Sequence, residues 1–389
     1  MDVMHCHHFD ANRCQSCALL RTEYEQQLAD KEAHARSLLR EYRDIDWLPA
    51  VASAEAGFRN KAKMVVTGTM HEPVLGILET RPGNATQTTG IDLHDCPLYN
   101  QPMQDLLTHL AAFITTAQVE PYNLATRRGE LKYVLVTQSP DDEYLVRFVL
   151  RSQESVTRLR KHLPAFLAAH PQVVVFSVNL QPEHKAILEG EREIILTERE
   201  TLTMRVGGIP LNLRPQSFFQ TNTPIAAALY AQAREWAQRS APTHAWDLFC
   251  GVGGFALHLA PLVEKMTGIE ISADAIASAR QTARDLGITN LEFDALDATA
   301  FSRTHAGSKD VDGPQLIVVN PPRRGIGQEL ARFLNASPAH TVIYSSCNAE
   351  TLVRDLAHMP GLRPVAARVL DMFPHTSHYE VIVLLERTE

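Results

Sequence analysis

The sequence of 389 residues lacks any apolar run long enough to span a bilayer, and Met1–Cys17 lacks the apolar segment of a signal peptide. These absences argue against an integral membrane protein and against a secreted one, so we expect a cytoplasmic protein with no membrane association. No internal repeat or low-complexity stretch stands out. Hydrophobic residues make up 45% of the chain and charged residues 21%, which is typical of a globular protein with two or three domains.

The sequence also lacks an excess of positive charge, because its formal net charge is −8. The overall charge therefore gives no sign of a nucleic acid as partner. The distribution is uneven, however, since residues 121–163 hold eight basic and five acidic side chains. A local basic face of this kind can bind phosphates in an acidic protein, although an ordinary solvated surface has the same composition.

Cysteine is scarce, but four of the six residues have a spacing that suits a metal site. Cys6, Cys14 and Cys17 follow the pattern C-x7-C-x2-C, and Cys96, which precedes a proline, is the natural fourth thiolate. Cysteines in a cytoplasmic protein stay reduced, so metal binding or catalysis is expected in place of disulfides. Zinc and an iron–sulfur cluster both accept four cysteines, and the spacing leaves both open.

The hydrophobic pattern changes near residue 205 and predicts two domains, 1–205 and 206–389. In the first domain, strand-like runs such as Pro73–Leu78 and Tyr144–Leu150 surround one clear helix, Asp105–Thr115, which indicates a mixed α+β domain with mostly antiparallel strands. In the second domain, strands and helices alternate. That alternation predicts an α/β fold with a parallel-rich sheet covered by helices on both faces.

A glycine-rich turn in the second domain, Trp246–Phe255, has the form of a strand, a turn and a helix start. Glycines let a ligand approach the backbone closely, and a helix N-terminus adds N–H donors. The turn departs from the G-x-G-x-x-G pattern, which argues against NAD. Glu270 ends the next strand, where a carboxylate accepts both hydroxyls of a ribose, and Asp297 follows the third strand, where an adenine edge would lie.

Two further motifs end later strands of the same domain. Asn320 opens the run Asn-Pro-Pro-Arg, in which the prolines fix a rigid loop and expose the asparagine at the strand tip. Amino-methyltransferases have a similar loop with an aromatic residue at the position of Arg323, so the arginine favours a carbon target. Cys347, in Ser-Ser-Cys-Asn, follows a β-branched strand and has polar neighbours that suit a nucleophile. A buried structural cysteine is the alternative.

Together, the glycine-rich turn, the Asn-Pro-Pro-Arg loop, the Ser-Cys-Asn nucleophile and the final His378-Tyr379-Glu380 resemble the RNA uracil-C5 methyltransferases over nearly the whole chain. The resemblance implies a Rossmann-like class I domain, S-adenosylmethionine as methyl donor and 5-methyluridine as product. It implies that Cys347 attacks C6 of the uracil and that Glu380 is the base that removes the C5 proton. The cofactor-binding residues that it implies are Gln220, Phe249, Glu270, Asp297 and Asn320.

The resemblance is to the branch of this family that acts on 23S ribosomal RNA. Four cysteines hold a [4Fe-4S] cluster in the ribosomal-RNA enzymes, which implies this role for Cys6, Cys14, Cys17 and Cys96. The expected partner is 23S ribosomal RNA and not DNA, and we expect a monomer. Phe218 is a candidate for stacking on a base, with core packing as the alternative. Basic residues that could hold the RNA backbone are Arg59, Lys61, Lys63, Arg127, Arg128 and Lys132.

Three alternatives remain open at this point. The same chemistry could act on another ribosomal uracil or on tRNA. The chain could be a non-catalytic iron–sulfur protein that binds RNA, which the presence of both Cys347 and Glu380 disfavours. It could also be a zinc-containing N-methyltransferase, which Arg323 disfavours and which leaves Cys347 unexplained.

Overall fold

The computed structural model of the protein describes residues 3–79, 89–185, 187–305 and 313–388. The α-helices are α1 (His7–Asp10), α2 (Tyr24–Leu38), α3 (Gln101–Thr116), α4 (Val156–Ala169), α5 (Thr223–Ser240), α6 (Gly254–Leu259), α7 (Ala273–Asp285), α8 (Ala298–His305), α9 (Gly327–Ala336) and α10 (Ala349–Leu356). The strands are β1 (Asp46–Trp47), β2 (Lys61–Gly68), β3 (Pro73–Leu78), β4 (Gly90–Asp92), β5 (Leu131–Gln138), β6 (Tyr144–Leu150), β7 (Val173–Leu180), β8 (Arg192–Ile195), β9 (Leu202–Val206), β10 (Ile209–Leu213), β11 (His244–Leu248), β12 (Lys265–Glu270), β13 (Leu291–Ala295), β14 (Leu316–Val319), β15 (Thr341–Ser346), β16 (Leu362–Leu370) and β17 (Glu380–Arg387). In the part of the chain that the structure describes, no helix is long and apolar enough to cross a membrane.

The chain divides into two compact units. The N-terminal unit contains Met4–Cys17 and Glu55–Thr203, and the C-terminal unit contains Met1–Val3, Ala18–Ala54 and Met204–Glu389. The break after Thr203 lies beside the domain boundary that the sequence predicts. The segment 18–54, which the sequence analysis assigned to the first domain, instead folds with the C-terminal unit.

The C-terminal unit is built on an eight-stranded sheet with the order β1-β16-β17-β15-β14-β11-β12-β13. Numbered from β11, its seven main strands read 3-2-1-4-5-7-6, and only β17 runs antiparallel to its neighbours. The central strands β14 and β15 are buried along their whole length, as expected of a parallel sheet with both faces covered. This architecture confirms the predicted Rossmann-like α/β methyltransferase fold.

Side chains cap the start of several helices of this unit. Asn222 Oδ1 accepts a hydrogen bond from the backbone N–H of Ile225 at the start of α5, where Pro224 occupies the first turn. Ser272 Oγ caps α7 in the same way through the N–H of Ala275, at 3.3 Å. Each cap places a helix start directly after a polar loop, and these loops lie at the ends of the strands.

The N-terminal unit has a seven-stranded sheet with the order β4-β3-β2-β5-β6-β7-β8. All of its neighbouring strands are antiparallel except β6 and β7, which are parallel, so the expectation of a mostly antiparallel α+β unit is confirmed. The connection between β6 and β7 contains α4, as a parallel pair requires. Phe113 of α3 packs on Phe148 and Phe176 of the sheet and on Phe166 of α4, and these four rings belong to the core of this unit.

Candidate active site and cysteine cluster

The candidate active site lies where the strand order of the C-terminal sheet reverses, between β11 and β14. In an open α/β sheet, ligands bind beyond the carboxyl ends of the strands at this point. Phe249 directly follows β11, Asn320 follows β14 and Cys347 follows the next strand, β15. The fold therefore brings three residues that are far apart in the sequence to one edge of the sheet.

The glycine-rich turn after β11 leaves room for a ligand. Gly251 has φ +54°, and a side-chain carbon placed on it would meet no atom within 4 Å. Gly253, with φ +87°, is packed against Leu257 and Phe293, so it serves the turn itself. Phe249 has φ +73°, a left-handed conformation that costs a residue with a side chain about 1–3 kcal/mol. Such strain is typical of a functional turn.

Two carboxylates flank this turn. Asp247 is fully buried, and its Oδ2 accepts a hydrogen bond from the N–H of Ala256 at 2.9 Å, while its Oδ1 has no partner within the described residues. Burial raises the pKa of Asp247 to about 7. Glu270 accepts hydrogen bonds from the N–H groups of Gly251 (3.2 Å) and Ser272 (3.0 Å). A buried carboxyl oxygen without a hydrogen-bond partner is a candidate position for a bound water, ion or polar ligand group.

Two exposed apolar side chains stand beside Glu270. Ile271 is 72% exposed and Leu296 is 45% exposed, and the N–H of Leu296 donates to the carbonyl oxygen of Glu270 at 3.0 Å. Large apolar side chains at adjacent strand ends form a platform for a flat aromatic ligand such as adenine. Neither residue was predicted from the sequence. Each could have been recognised as a large apolar residue among the polar residues that follow a strand.

Two of the predicted cofactor residues are in less distinctive positions. Asp297 is exposed, and its Oδ1 accepts hydrogen bonds from the N–H groups of Thr299 (2.9 Å) and Ala300 (3.0 Å), so it caps α8. Gln220 is half-buried in the loop before α5. In the same loop Phe218 is 72% exposed, which excludes the core-packing alternative for this side chain.

Cys347 and Glu380 are neighbours across two antiparallel strands. The last pair in the ladder between β15 and β17 is Ser346 with Val381, so Cys347 and Glu380 are the residues directly beyond it, and the charge of Glu380 acts on the Cys347 thiol. Glu380 is only 1% exposed, and its Oε1 accepts a hydrogen bond from the hydroxyl of Ser345. The Ser345 oxygen in turn accepts a hydrogen bond from Nδ2 of Asn320 at 3.1 Å. A thiol, a buried carboxyl and an amide therefore share one site.

The electrostatics of this site follow from burial. Burial raises the pKa of Glu380 to about 7, against the opposing effect of the hydrogen bond from Ser345. Burial, and then the nearby charge of Glu380, raise the pKa of the half-buried Cys347 thiol, whereas the guanidinium of Arg323 lowers it. Arg323 Nη2 lies 3.4 Å from Nδ1 of His378. A carboxyl that titrates near neutral pH is suited to exchange protons with a bound substrate.

The four predicted cluster cysteines lie together in the N-terminal unit. All are free thiols and half-buried. Burial raises the pKa of Cys96 to about 12, and the other three cysteine sulfurs contribute to the rise. Burial also raises the pKa of Cys17 to about 11, with contributions from Cys14 and Cys6. The charge of one thiolate acts on the pKa of another only at short range, so these effects indicate that the four sulfurs are near one another.

A histidine and an aspartate join the two chain segments that carry these cysteines. His8 follows Cys6 closely in sequence and Asp95 precedes Cys96, and His8 Nε2 lies 2.7 Å from Asp95 Oδ1. The His8 side chain is buried. This contact connects the two segments beside the cysteines.

One predicted RNA contact is wrong. Lys132 is buried, and its ammonium group donates hydrogen bonds to the carbonyl oxygens of Gln181 (2.8 Å) and Glu183 (2.7 Å). Because its donors are used inside the N-terminal unit, it does not offer them to a phosphate. By contrast, Lys63 and Arg127 are exposed, as expected of residues that contact RNA.

Comparisons with known proteins identify the family. A sequence model of the tRNA (Uracil-5-)-methyltransferase family matches residues 189–388. Two relatives, each named 23S rRNA (uracil(747)-C(5))-methyltransferase RlmC, are 51% identical over 386 residues (Halothiobacillus neapolitanus, 99% of this chain and 100% of the relative) and 50% identical over 385 residues (Edwardsiella ictaluri, 99% of each). The crystal structure of Pyrococcus abyssi tRNA (uracil-54, C5)-methyltransferase in complex with S-adenosyl-L-homocysteine has the same fold, with a TM-score of 0.75 and 24% identity over 95% of this chain and 85% of that chain. The chain therefore belongs to the tRNA (Uracil-5-)-methyltransferase family, as the resemblance of its motifs predicted, and is a methyltransferase.

Proposed function

We propose that this protein methylates C5 of one uracil in 23S ribosomal RNA and gives 5-methyluridine. The relatives that are about half identical over nearly their full length carry that activity in their names, and those names specify uracil 747. The observation that carries the chemistry is that Cys347 and the buried Glu380 lie close together at the end of the β15–β17 ladder, directly beyond its last pair, Ser346 with Val381. A nucleophile and a base that are close together are what a covalent route to C5 requires.

The route begins with Cys347, because C5 of uracil is a poor nucleophile. The Cys347 thiolate attacks C6 and forms an S–C6 bond, and the electron pair of the C5=C6 double bond becomes an enolate with density at C5. S-adenosylmethionine supplies the methyl group that C5 acquires. Arg323, whose charge lowers the pKa of the Cys347 thiol, favours the thiolate that makes the first bond.

Glu380 then completes the reaction. Its carboxylate takes the proton from C5, the C–H electron pair restores the C5=C6 double bond, and the S–C6 bond breaks to release the Cys347 thiolate. Ser345 fixes the orientation of the carboxylate through its hydrogen bond, and Asn320 fixes Ser345. The burial of Glu380 keeps bulk water away from the proton that it handles.

We assign the methyl-donor site to the turn after β11 and the strand ends beside it. Glu270 would accept the ribose hydroxyls, the unpartnered Oδ1 of Asp247 would bind a polar group of the donor, and Ile271 and Leu296 would contact its adenine. The residues that the family resemblance predicts for this site are Gln220, Phe249, Glu270, Asp297 and Asn320. The open space at Gly251 supports a close approach of the donor to the backbone.

We assign a [4Fe-4S] cluster to Cys6, Cys14, Cys17 and Cys96. The mutual effect of the four sulfurs on the pKa values of Cys17 and Cys96 supports a common site for the four thiolates. The choice of iron–sulfur over zinc rests on the resemblance to the ribosomal-RNA enzymes of the family, because both metals accept four cysteines. Such a cluster would tie the N-terminal segment to the rest of its unit.

The N-terminal unit and the exposed Phe218 would hold the RNA. Lys63, Arg127 and Arg128 are exposed cations suited to phosphates, and Phe218 presents an aromatic face to an unstacked base. A uracil inside folded RNA must be extruded to reach Cys347. A ribosomal-RNA substrate would be met in the cytoplasm, and we propose that the protein acts there as a monomer.

Mapping of 5-methyluridine in ribosomal RNA tests this function. Cells without the protein should lack the modification at one position of 23S ribosomal RNA, uracil 747 by the names of the relatives, and the wild-type chain should restore it. The Cys347→Ala chain should not. If the wild-type chain restores the modification at a different ribosomal position or in tRNA, the same chemistry acts on another substrate. If Cys347→Ala restores the modification, the mechanism is wrong.

A further inference from the structure

One face of helix α2 carries four polar side chains at helical spacing. Tyr24, Gln27, Lys31 and His34 recur at intervals of three and four residues, so they form a single stripe along the helix. This helix precedes the N-terminal sheet in the sequence but folds within the C-terminal unit. All four side chains contact residues 371–379, the loop that joins β16 to β17 and leads directly into Glu380.

The loop begins at a buried ion pair. Lys31 Nζ lies 2.7 Å from Oδ1 of Asp371, and the two side chains are 3% and 0% exposed. The hydroxyl of Tyr24 donates to Oδ2 of Asp371 at 2.9 Å, so α2 binds both carboxylate oxygens. Lys31 also donates to the carbonyl oxygen of Phe373 at 3.1 Å. A buried charge with partners of this kind is costly to disturb, which fixes the start of the loop.

The middle of the loop is held at His375. This buried residue has φ +63°, in the left-handed region that residues with side chains seldom adopt. Gln27 Oε1 accepts a hydrogen bond from its N–H at 2.9 Å, and Gln27 Nε2 lies 3.3 Å from its Nδ1. The N–H of Leu19 donates to its carbonyl oxygen at 2.9 Å. The segment around α2 therefore binds the polar groups of the strained residue.

The end of the loop is held next to the catalytic strand. His34 Nδ1 lies 2.8 Å from the hydroxyl of Tyr379, and the two rings meet edge to face at 5.9 Å. Tyr379 is the residue before Glu380. The contacts of these four side chains, at the start, middle and end of the loop, thus set the path by which the chain enters β17.

We propose that α2 is a positioning element for the base, which holds residues 371–379 so that the Glu380 carboxylate meets C5 of the bound uracil. This inference rests on the proposed role of Glu380. The competing explanation is that the ladder pairing of Glu380 with Leu370 alone places the carboxylate, and that α2 only stabilises the unit. The two explanations differ in which kinetic step a variant of α2 changes.

The test measures formation and decay of the covalent RNA adduct in single-turnover reactions, on denaturing gels with labelled substrate RNA and S-adenosylmethionine. His34→Ala alters an exposed side chain, so it should fold, and Gln27→Ala removes the contacts to His375. In both, adduct decay should slow about 10-fold to 100-fold, as expected of a displaced catalytic group, while adduct formation stays within twofold of wild type. Gln26→Ala is the matched control, because Gln26 is exposed on the same helix and bonds Asp30 instead.

The outcomes separate this inference from the proposed function. If Glu380→Gln traps the adduct while His34→Ala and Gln27→Ala behave like Gln26→Ala, the positioning role is wrong and the role of Glu380 stands. If formation and decay fall together, in step with a lower melting temperature, α2 is only a stabilising element. If Glu380→Gln traps no adduct, both the base assignment and the inference that rests on it fail. The double variant with His34→Ala and Tyr379→Phe should show the same rate of adduct decay as His34→Ala alone, because both substitutions remove the same contact.

Discussion

Ser345 donates its hydroxyl hydrogen to Glu380 inside the sheet, where both side chains are buried. A hydrogen bond to a carboxylate favours its charged form, so Ser345 opposes the effect of burial, which raises the pKa of Glu380 to about 7. A fully desolvated carboxyl without this donor would hold its proton to still higher pH. The pair therefore sets the lower pH limit at which Glu380 can accept a proton from C5.

Ser345→Ala should move that limit upward. Loss of a hydrogen bond to a charged group costs about 1.5–3 kcal/mol, which corresponds to roughly one or two pH units in the titration of Glu380. Decay of the preformed adduct, followed between pH 6 and pH 9 by pH-jump, should show a midpoint about one unit higher than wild type. Ser345→Thr keeps the hydroxyl and should restore the wild-type midpoint. An unchanged midpoint in Ser345→Ala would show that the hydrogen bond has no part in the titration.

Cys347→Ala and Glu380→Gln should block different steps. Without the thiolate, Cys347→Ala cannot activate C5 and should form no adduct. Glu380→Gln should still allow attack and methylation, but the C5 proton then stays and the thiolate cannot leave. Because loss of a positioned base slows its step by about 10²–10⁴-fold, the adduct should accumulate as a slow band on a denaturing gel. Turnover by Cys347→Ala, or normal turnover without adduct by Glu380→Gln, would contradict these assignments.

The raised pKa of Glu380 also predicts how stability depends on pH. The folded protein keeps the Glu380 proton up to about pH 7, whereas the unfolded chain releases it near 4.5. Between these values the folded state binds more protons, so this group makes the protein less stable as pH rises through that window. Glu380→Gln removes this effect, so its free energy of unfolding should exceed that of wild type by up to about 3 kcal/mol at pH 8 and by little at pH 4.5. Chemical denaturation at the two pH values measures it. An equal gain at both would mean that burial of the charge is not the cause.

The sequence predicted most elements where the local pattern is strong. Strands β3 and β6 have the predicted ends, because β-branched and apolar runs bounded by polar residues fit a buried strand. Helix α4 was missed because Pro164 lies inside it and its face is strongly basic. Strand β16 was missed because Arg363 and Pro364 interrupt its apolar pattern.

The sequence indicated which residues form the active site but not which of them contact one another. The motifs indicated Cys347 and Glu380, yet the hydrogen bonds that join Ser345 to Asn320 and Glu380 depend on strand register, which no local pattern encodes. The same limit applies to residues 18–54. Their composition fits a surface helix, and contacts with residues far away in the sequence, such as Lys31 with Asp371, place them in the C-terminal unit.

The iron–sulfur assignment predicts metal content. Protein purified without oxygen should be brown and contain about four irons per chain, as a cubane with four thiolate ligands requires. Cys96→Ser should lose iron and unfold at a lower temperature, because metal binding contributes to the stability of a site that is not preformed in the unfolded chain. Cys347→Ala is the matched control, since it removes a cysteine outside the cluster and should keep all the iron. Stoichiometric zinc without iron would contradict the assignment.

Glu270 should be the principal anchor of the methyl donor. Its carboxylate already accepts hydrogen bonds from the N–H groups of Gly251 and Ser272, which orients it at the end of β12 beside the exposed Ile271. Hydrogen bonds from ribose hydroxyls to a carboxylate contribute about 1.5–3 kcal/mol, so Glu270→Ala should weaken the binding of S-adenosylhomocysteine by roughly 10-fold to 100-fold in calorimetry.

Because alanine also removes support for the turn, Glu270→Gln is needed as a second variant. Glutamine keeps the shape and one acceptor oxygen but loses the charge, so its affinity should fall between those of wild type and Glu270→Ala. Unchanged affinity in both variants would mean that Glu270 does not bind the ribose. An equal loss in both would show that the charge of Glu270 is responsible for the interaction.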